Sequence, residues 1–538
     1  MTKSSWRSAA WGPALVFVWM VLFNIRPIQD PDIWWHLASG RFMVGHMTIP
    51  HLDVFSLTAK GSPWVNTYWL QEIVIYLLFK TSGLTGLILL KSLLVAALVF
   101  FSVRSRSGDR LSPGAQLWGM VWLFLSGQPR GYGWEEKASY VSLACMALLF
   151  STLYPMERRS PFRLYQYGPI LFLLWANMHR GFILGLAVLG IYLAEERFHH
   201  PGNRSKLAAI AGLCMAATLA NPYGWHVYGM GWQDFALSPI HVTGWAQTPF
   251  FHLELFWITL AVFWLVVAGK LWKRQSPGWA FLATSLLLSA LSMRYASLYP
   301  YWVLWAIPWL MPLFTGETRI FSNHWIKAAA WAVILFASLD LRPAFGINPR
   351  IFPVETVQFL KKTNLRTPFF HDYELGGFYL WMLEGNPPVL IDGRYPAVEG
   401  YQHLFPEMQN AMAGTPQDFQ RFLNVHNLHS AIIKYPSTQF DPSPFAEYFP
   451  RKDWGLIYWD DLVLVFIQRT RASGPLLRQL EFQHIQPDAD PAYWLENVWK
   501  KSSPDQKSQL RGEFLRNARL HPGSRRVRRW LDLIDGLV

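Results

Sequence analysis

Eleven apolar runs constrain the fold of this chain more than any other feature of its sequence. A helix that crosses a bilayer needs about 20 apolar residues, and the runs are close to that length or somewhat shorter. The sequence therefore predicts an α-helical polytopic membrane protein with about 11 transmembrane helices. The runs lie near residues 9–28, 83–102, 114–127, 138–155, 165–178, 181–196, 207–220, 253–269, 277–293, 298–314 and 326–341.

The composition agrees with a membrane protein and excludes several other classes. Aromatic residues make up 16% of the chain and charged residues only 15%, against about 25% charged in ordinary globular proteins. The two membrane interfaces readily take aromatic rings, and the chain has 29 Trp residues to place. Cys145 and Cys214 are the only cysteines and both lie in apolar runs, which excludes a disulfide framework and a thiolate metal site.

The positive charge is concentrated in the first part of the chain. The first 349 residues hold 26 Lys and Arg against 14 Asp and Glu, whereas the later residues hold 22 against 21. The excess forms short clusters between apolar runs, which is typical of membrane topology and not of a groove for a phosphate backbone. The sequence predicts no nucleic-acid partner.

The basic clusters also predict which side of the membrane each loop occupies. Clusters follow the second, fourth, sixth and eighth runs, whereas residues 221–252 contain no Lys or Arg. Because basic loops stay cytoplasmic, we expect the N-terminus inside, the C-terminal part outside, and residues 30–82 as one long outer loop. Residues 68–79 of that loop are expected to form a helix along the outer interface. The alternative is a twelfth crossing, which would invert every later loop.

Beyond the apolar runs, the pattern predicts two further parts. Residues 1–341 form the transmembrane domain, residues 342–472 an extracytoplasmic α/β domain, and residues 473–538 a helical extension. Strands are predicted at 368–372, 387–392, 429–435 and as a pair within 455–468, with helices at 374–383 and 416–425. Helices are predicted in the extension at 490–500, 504–519 and 524–537. Its cluster Arg525, Arg526, Arg528 and Arg529 fits a solvated helix face or a contact with anionic lipid headgroups.

The outer loop begins with the acidic pair Asp30-Pro31-Asp32. Pro31 favours an extended Asp30, and residues i and i+2 of an extended segment point the same way. Both carboxylates can then address one site, either to bind a divalent ion or to provide a general base. The structural alternative is that Asp32 caps a helix over residues 33–44, with Trp34 and Trp35 anchoring the interface.

Further polar residues are predicted on the same side of the membrane. His179 and Arg180 lie in the tight turn between the fifth and sixth runs, and Arg294 ends the ninth. Each alone fits headgroup contact or capping. Together they predict a cavity with carboxylates at one end and cations for an anionic phosphate at the other.

The loop string DPDIWWHLASGRFMVGHMTIPHLDVFSLTAKGSPWVNTYWLQE resembles the first outer loop of integral-membrane glycosyltransferases of the GT-C type. It is most similar to a bacterial group of multi-pass proteins with a DPDxWWHL signature. Shorter matching pieces occur along the chain: WANMH at 175–179, ANPYG at 220–224, SMRY at 292–295, DYELGGF at 372–378 and IDGR at 391–394. The resemblance covers roughly residues 9–470.

The resemblance implies an activity and roles for individual residues. The enzyme would move a hexosyl or pentosyl group from a polyprenyl-phosphate-linked donor to a glycan, lipid or protein acceptor outside the bacterial cytoplasmic membrane. Asp32 or Asp30 would be the catalytic base or a ligand of Mg²⁺ or Mn²⁺, and Arg294 would contact the donor phosphate. His36, His179 and Arg180 are further candidates for substrate binding. Asp392 and Arg394 would bind acceptor or seat the outer domain; their structural alternative is that they pair with each other.

Two functions from other classes compete with this one. A transporter or polymer-export component usually shows an internal repeat, which this sequence lacks. A non-catalytic scaffold of envelope polysaccharide assembly would use the outer domain as its binding surface.

Overall fold

A computed structural model describes residues 3–107, 113–126, 139–153, 162–230, 254–275, 277–311, 331–335, 342–435, 447–470 and 473–536. The chain divides into two units. The helical unit consists of Met1–Asp30, Ser39–Ile49 and Val65–Gly346; the α/β unit consists of Pro31–Ala38, Pro50–Trp64 and Ile347–Val538. Two pieces of the long loop therefore belong with the C-terminal residues. The predicted domain boundaries after residues 341 and 472 stay predictions.

Ten of the eleven predicted apolar runs coincide with helices in the described residues. Of the eleventh run, 326–341, the structure describes only residues 331–335. The helices are Lys3–Asn24, Trp69–Ser107, Pro113–Ser126, Ser139–Leu153, Phe162–Met178, Phe182–His199, Arg204–Leu219, Glu254–Trp272, Trp279–Arg294 and Tyr299–Leu310.

Two of these helical segments, Trp69–Arg104 and Leu255–Trp272, are long and apolar enough to cross a membrane. Shorter apolar helices occur at Gly12–Asn24, Gln116–Ser126, Ser139–Leu153 and Trp279–Arg294. The number of crossings and their direction stay predictions. The helix from Trp69 is broken at Gly83, whose φ of 61° is in the region that glycine tolerates best. The predicted interfacial helix at 68–79 corresponds to the part before this break.

Tryptophan side chains join neighbouring helices of the helical unit through hydrogen bonds as well as packing. Trp302 and Trp305 are fully buried, and their indole N–H groups donate to Ser289 at 2.9 Å and Ser285 at 2.8 Å. Both serines lie on the helix Trp279–Arg294. In an apolar interior an indole N–H needs such an acceptor, so the serines satisfy the polar atoms of the largest core residues.

The α/β unit contains a four-stranded sheet in the order β1-β2-β4-β3. The strands are β1 (Phe369–His371), β2 (Ser430–Lys434), β3 (Trp454–Trp459) and β4 (Val463–Gln468). β1 and β2 are parallel, with Phe370 opposite Ala431, and the other neighbours are antiparallel, with Ile432 opposite Val465. The strands are almost entirely buried, which explains why they read as continuous apolar runs.

Residues 387–392 were predicted to form a strand, and this prediction is wrong. Val389 makes only an isolated parallel bridge with Ser56. Pro387 and Pro388 have no backbone N–H to donate, so the segment cannot complete a strand ladder. Helices at Val354–Thr363 and Tyr401–Ala413 were not predicted, while those at Gly376–Met382 and Pro416–Val425 were.

The C-terminal extension is helical, as predicted. Pro504–Leu520 begins with a capping box formed by Ser503 and Gln506, and Arg525–Asp535 begins with Ser524 accepting from Val527 N at 3.1 Å. The helix Pro504–Leu520 packs on the sheet: the Phe514 and Trp459 ring centroids are 5.9 Å apart, and Asn517 Nδ2 donates to the Trp459 carbonyl at 3.1 Å.

His371 at the end of β1 is held in a neutral form by its two hydrogen bonds. Its Nε2 accepts from the Leu390 N–H at 3.1 Å, and its Nδ1 bonds to the Asp372 carbonyl at 3.0 Å. A carbonyl can only accept, so the ring proton lies on Nδ1. Burial lowers the pKa of His371 to about 4, although the Asp372 carbonyl and the charge of Asp392 partly oppose this.

This buried histidine makes the protein less stable in acid. Between pH 6.5 and 4 the unfolded histidine binds a proton that the folded one does not, so the free energy of unfolding falls as the pH drops. At pH 5 the loss relative to neutral pH is about 2 kcal/mol. We expect His371→Gln to lose less thermal stability than the parent between pH 7.5 and 5.0, measured on the full-length protein in detergent. His403→Gln, at an exposed position, should keep the parent's pH dependence; an equal acid loss in all three proteins would contradict the prediction.

Candidate active site

The two acidic residues of the outer loop lie at the start of a helix that spans Asp32–His46. Asp32 is its first residue, which confirms that a helix follows the pair. Asp32 is half-buried, whereas Asp30 is only 1% exposed. A carboxylate in the first turn also interacts favourably with the helix dipole. Asp30 belongs to the helical unit and Asp32 to the α/β unit.

The carboxylate of Asp32 is held on one side by its own helix and on another by the turn at residues 392–394. Trp35 Nε1 donates to Asp32 Oδ1 at 3.1 Å. Gly393 lies so close that a Cβ there would collide with Asp32 Oδ1 and stand 2.5 Å from Trp35 Nε1. The structure therefore brings the IDGR motif directly against the acidic motif.

Asp392 and Arg394 of this turn form a buried ion-pair cluster with Asp53 and Tyr401. Arg394 Nε and Nη2 donate to the Asp392 oxygens at 2.8 and 2.7 Å, Nη1 donates to Asp53 Oδ1, and Nη2 donates to the Tyr401 hydroxyl at 3.1 Å. The side chains of Arg394, Asp392 and Asp53 are all fully buried. Arg394 also stacks between aromatic rings, 4.9 Å from Phe55 and 4.8 Å from Trp64.

The cluster changes the interpretation of Asp392 and Arg394. Both were predicted to bind acceptor or to seat the outer domain, and each is enclosed with its polar atoms hydrogen-bonded inside the protein. The alternative that they pair with each other is what the structure has. Burial lowers the pKa of Arg394, and the adjacent Asp392, Tyr401 and Asp53 raise it more, so the guanidinium stays charged. Tyr401 was missed by sequence analysis.

His36 is also predicted to bind substrate, and it is buried on the same helix as Asp32. Its ring is only 3% exposed and lies 3.6 Å from the Trp35 ring centroid. It therefore supports the indole that contacts Asp32.

A second group of predicted residues lies together in the helical unit. His179 and Arg180 are half-buried after the helix Phe162–Met178. The Tyr68 ring is 5.3 Å from the His179 ring and 5.4 Å from the Arg180 guanidinium carbon. This contact places a cation and an imidazole on the same aromatic side chain.

Hydrogen bonds fix which nitrogen of His179 carries the proton. Trp175 Nε1 donates to Ser142 Oγ at 2.6 Å, and Ser142 Oγ lies 2.7 Å from His179 Nδ1. The Gly181 N–H also donates to Nδ1 at 2.9 Å. Nδ1 therefore accepts, and the proton of a neutral ring lies on Nε2. Ser142 and Trp175 were not singled out from the sequence.

Arg294 lies apart from these side-chain contacts. It is exposed at the end of Trp279–Arg294, with its guanidinium carbon 4.8 Å from the Tyr295 ring. Its predicted contact with the donor phosphate stays a prediction.

Among the described residues, no group of three or more His, Cys, Asp or Glu side chains is placed so that it could hold a metal ion. Mg²⁺ is usually held by one or two carboxylates together with water and substrate phosphates. Metal binding by Asp30 and Asp32 stays a prediction.

The sequence matches no established protein family and no curated protein. Solved structures, however, share its fold. The oligosaccharyltransferase AglB from Archaeoglobus fulgidus, in complex with an inhibitory peptide and a dolichol-phosphate, superposes with a TM-score of 0.56 at 10% identity. The match covers 80% of this chain and 70% of that one. The Archaeoglobus fulgidus oligosaccharyltransferase in complex with Zn and sulfate superposes with a TM-score of 0.54 at 11% identity, over 94% of this chain and 82% of that one.

The chain therefore shares its fold with these oligosaccharyltransferases. At these identities the similarity concerns the fold alone, and the mostly helical architecture agrees with the one predicted from the apolar runs.

The ion-pair cluster should be essential for stability. Arg394→Met leaves the buried carboxylates of Asp53 and Asp392 without their cation, and we expect a loss of about 3–5 kcal/mol in the free energy of unfolding. Arg421→Met removes an exposed ion pair with Asp418 and should cost far less, because solvent screens such a pair. Denaturant unfolding of the full-length protein, followed by tryptophan fluorescence, measures both. Equal losses in the two variants would contradict the assignment.

Proposed function

We propose that the protein is a membrane glycosyltransferase of the bacterial cytoplasmic membrane. It transfers a sugar from a polyprenyl-phosphate-linked donor to an envelope acceptor on the outer face, with the N-terminus cytoplasmic and the α/β unit extracytoplasmic. The observation that carries the proposal is the fold shared with an oligosaccharyltransferase over 94% of the chain. AglB was solved with a dolichol-phosphate, which supports a lipid-phosphate carrier here.

Asp32 is the catalytic base of the proposed reaction. The acceptor hydroxyl attacks the anomeric carbon of the sugar, Asp32 takes the hydroxyl proton, and the bond to the polyprenyl phosphate breaks. A base must reach the acceptor, and the half-buried Asp32 is better placed for this than Asp30, which is 1% exposed. If Mg²⁺ or Mn²⁺ takes part, Asp30 and Asp32 are the residues that would hold it, and the ion would stabilise the charge of the leaving phosphate.

His179, Arg180 and Arg294 are the proposed contacts of the donor phosphate. The leaving polyprenyl phosphate gains negative charge as the sugar departs, and fixed donors stabilise that charge. The support for Arg180 and His179 is their fixed placement: Arg180 on Tyr68, and His179 with its proton on Nε2. Asp392 and Arg394 act by holding the loop and not by touching substrate.

The central test is Asp32→Asn, compared with Asp30→Asn. Asn keeps the shape of the side chain but cannot take a proton, so we expect transfer to fall by about 10²–10⁴-fold in Asp32→Asn. Asp505→Asn, at an exposed position of the C-terminal extension, is the matched control. A deletion strain is complemented with each variant, and its envelope glycans and accumulated polyprenyl-phosphate sugars are analysed.

The result separates the proposed functions. Loss of glycan with accumulation of the lipid-linked sugar, at normal protein levels, supports the glycosyltransferase. Full complementation by both Asp32→Asn and Asp30→Asn rejects it in favour of a non-catalytic scaffold. Accumulation of an unexported polymer favours a transporter.

Arg180 should contribute mainly to donor binding. Arg180→Gln removes the cation, and charge-assisted hydrogen bonds are worth about 1.5–3 kcal/mol, or roughly 10–100-fold in affinity. We expect the KM for the lipid-linked sugar isolated from the deletion strain to rise by about that factor in membranes containing the variant. Arg197→Gln, an exposed position near the other end of Phe182–His199, should keep the parent KM. An unchanged KM in Arg180→Gln would remove Arg180 from the donor site.

A further inference from the structure

The first turn of the Asp32 helix is enclosed by two glycines of the α/β unit. A Cβ at Gly393 would collide with Asp32 Oδ1, and a Cβ at Gly377 would stand 3.2 Å from Trp35 N and 3.3 Å from the Pro31 carbonyl. Both glycines come from motifs, IDGR and DYELGGF, that the proposed chemistry does not use directly. At both positions, a residue larger than glycine would place its side chain in the space that residues 31–35 occupy.

Gly393 cannot easily move away, because its neighbours on both sides are fixed. Asp392 and Arg394 are fully buried in the ion-pair cluster, and Arg394 N donates to Asp392 Oδ1 at 3.0 Å. Arg394 is in turn bound to Asp53 in the same long loop as Asp32. The turn is therefore anchored independently of Asp32.

Gly377 is fixed to the same support. A Cβ at the preceding Gly376 would collide with the Ile391 carbonyl, so the helix Gly376–Met382 packs directly on the backbone before Asp392. The two glycines thus belong to one packed substructure and contact the acidic turn at separate points.

The carboxylate of Asp32 lies between this support and an indole. Trp35 Nε1 donates to Oδ1 at 3.1 Å, which fixes the rotation of the carboxylate, and Gly393 limits how far it can shift. A general base works only when its oxygen is held within hydrogen-bond reach of the proton it removes.

We propose that Gly393 is a positioning residue for Asp32, together with Gly377 and Trp35. This inference rests on the proposed function, since it needs Asp32 to be the base. The α/β unit then takes part in catalysis by setting the place of the carboxylate, and the absence of a side chain at residue 393 is what permits that place.

The test is Gly393→Ala in the full-length protein. An added methyl must displace Asp32 or the turn by about 1 Å to reach an ordinary contact distance, and a displacement of that size can cost about 100-fold in rate. We expect kcat to fall by about 100-fold and the KM for the isolated lipid-linked sugar to stay at the parent value. Gly512→Ala, where a Cβ has nothing within 4 Å, should keep the parent kcat.

Trp35→Phe tests the same inference without adding an atom, in case Gly393→Ala does not fold. It keeps the aromatic packing but removes the N–H that orients Oδ1. We expect kcat to fall by about 10-fold, as for the loss of one hydrogen bond of average strength, again with an unchanged KM.

Asp32→Asn separates a failure of this inference from a failure of the proposed function. If Asp32→Asn is fully active, Asp32 is not the base, and both its proposed catalytic role and the positioning role of Gly393 are overturned; the glycosyltransferase function itself is rejected only if Asp30→Asn is fully active as well. If Asp32→Asn is inactive while the folded Gly393→Ala or Trp35→Phe protein keeps the parent kcat, only the positioning role is overturned. A rise in KM without a fall in kcat also overturns it, because that would indicate a contact with substrate.

Discussion

The α/β unit depends on one buried cation. Arg394 has no exposed side-chain surface and is balanced by Asp392 and Asp53, and the rings of Phe55, Trp64 and Tyr401 surround it. An arginine in such a place is tolerated only when its donors are all directed at partners, and its geometry then becomes a strict constraint on the chain. Here the ion pair between Arg394 and Asp53 connects residues 50–64 to the turn at residues 392–394. Gly393 of the same turn lies against Asp32.

Much of the fold follows from local patterns in the sequence. The apolar runs predicted the positions of the helices, because where a helix begins and ends depends mainly on residues close in the sequence. Ser503 and Ser524, for example, each cap the helix that follows. The strands β2 and β4 were recognisable because burial on both faces makes them uniformly apolar. The segment 387–392 has the same apolar character, but its two prolines prevent a ladder, and this signal against a strand was present in the sequence.

In the candidate site too, nearby residues explain some features, whereas others depend on residues far apart in the sequence. The acidic pair was found because it directly follows an apolar run, and the helix that begins at Asp32 needs only nearby residues. The resemblance implied that Asp392 and Arg394 bind acceptor or seat the outer domain, with mutual pairing as the alternative. Their enclosure depends on Asp53, 341 residues before Arg394, and no single sequence shows that pairing. The hydrogen bonds of His179 likewise come from Ser142 on another helix, which its own apolar run conceals.

The position of these partners along the chain has a consequence for biosynthesis. Asp53 emerges from the ribosome long before Arg394, and at about 5–20 residues per second the interval is roughly 20–70 s. During that time the early loop carries a carboxylate and several aromatic side chains whose final neighbours have not yet been made. The α/β unit therefore cannot fold progressively from its N-terminal residues. It can complete its fold only when the last third of the chain has been translated, and a truncated product would leave the loop exposed to proteases and chaperones.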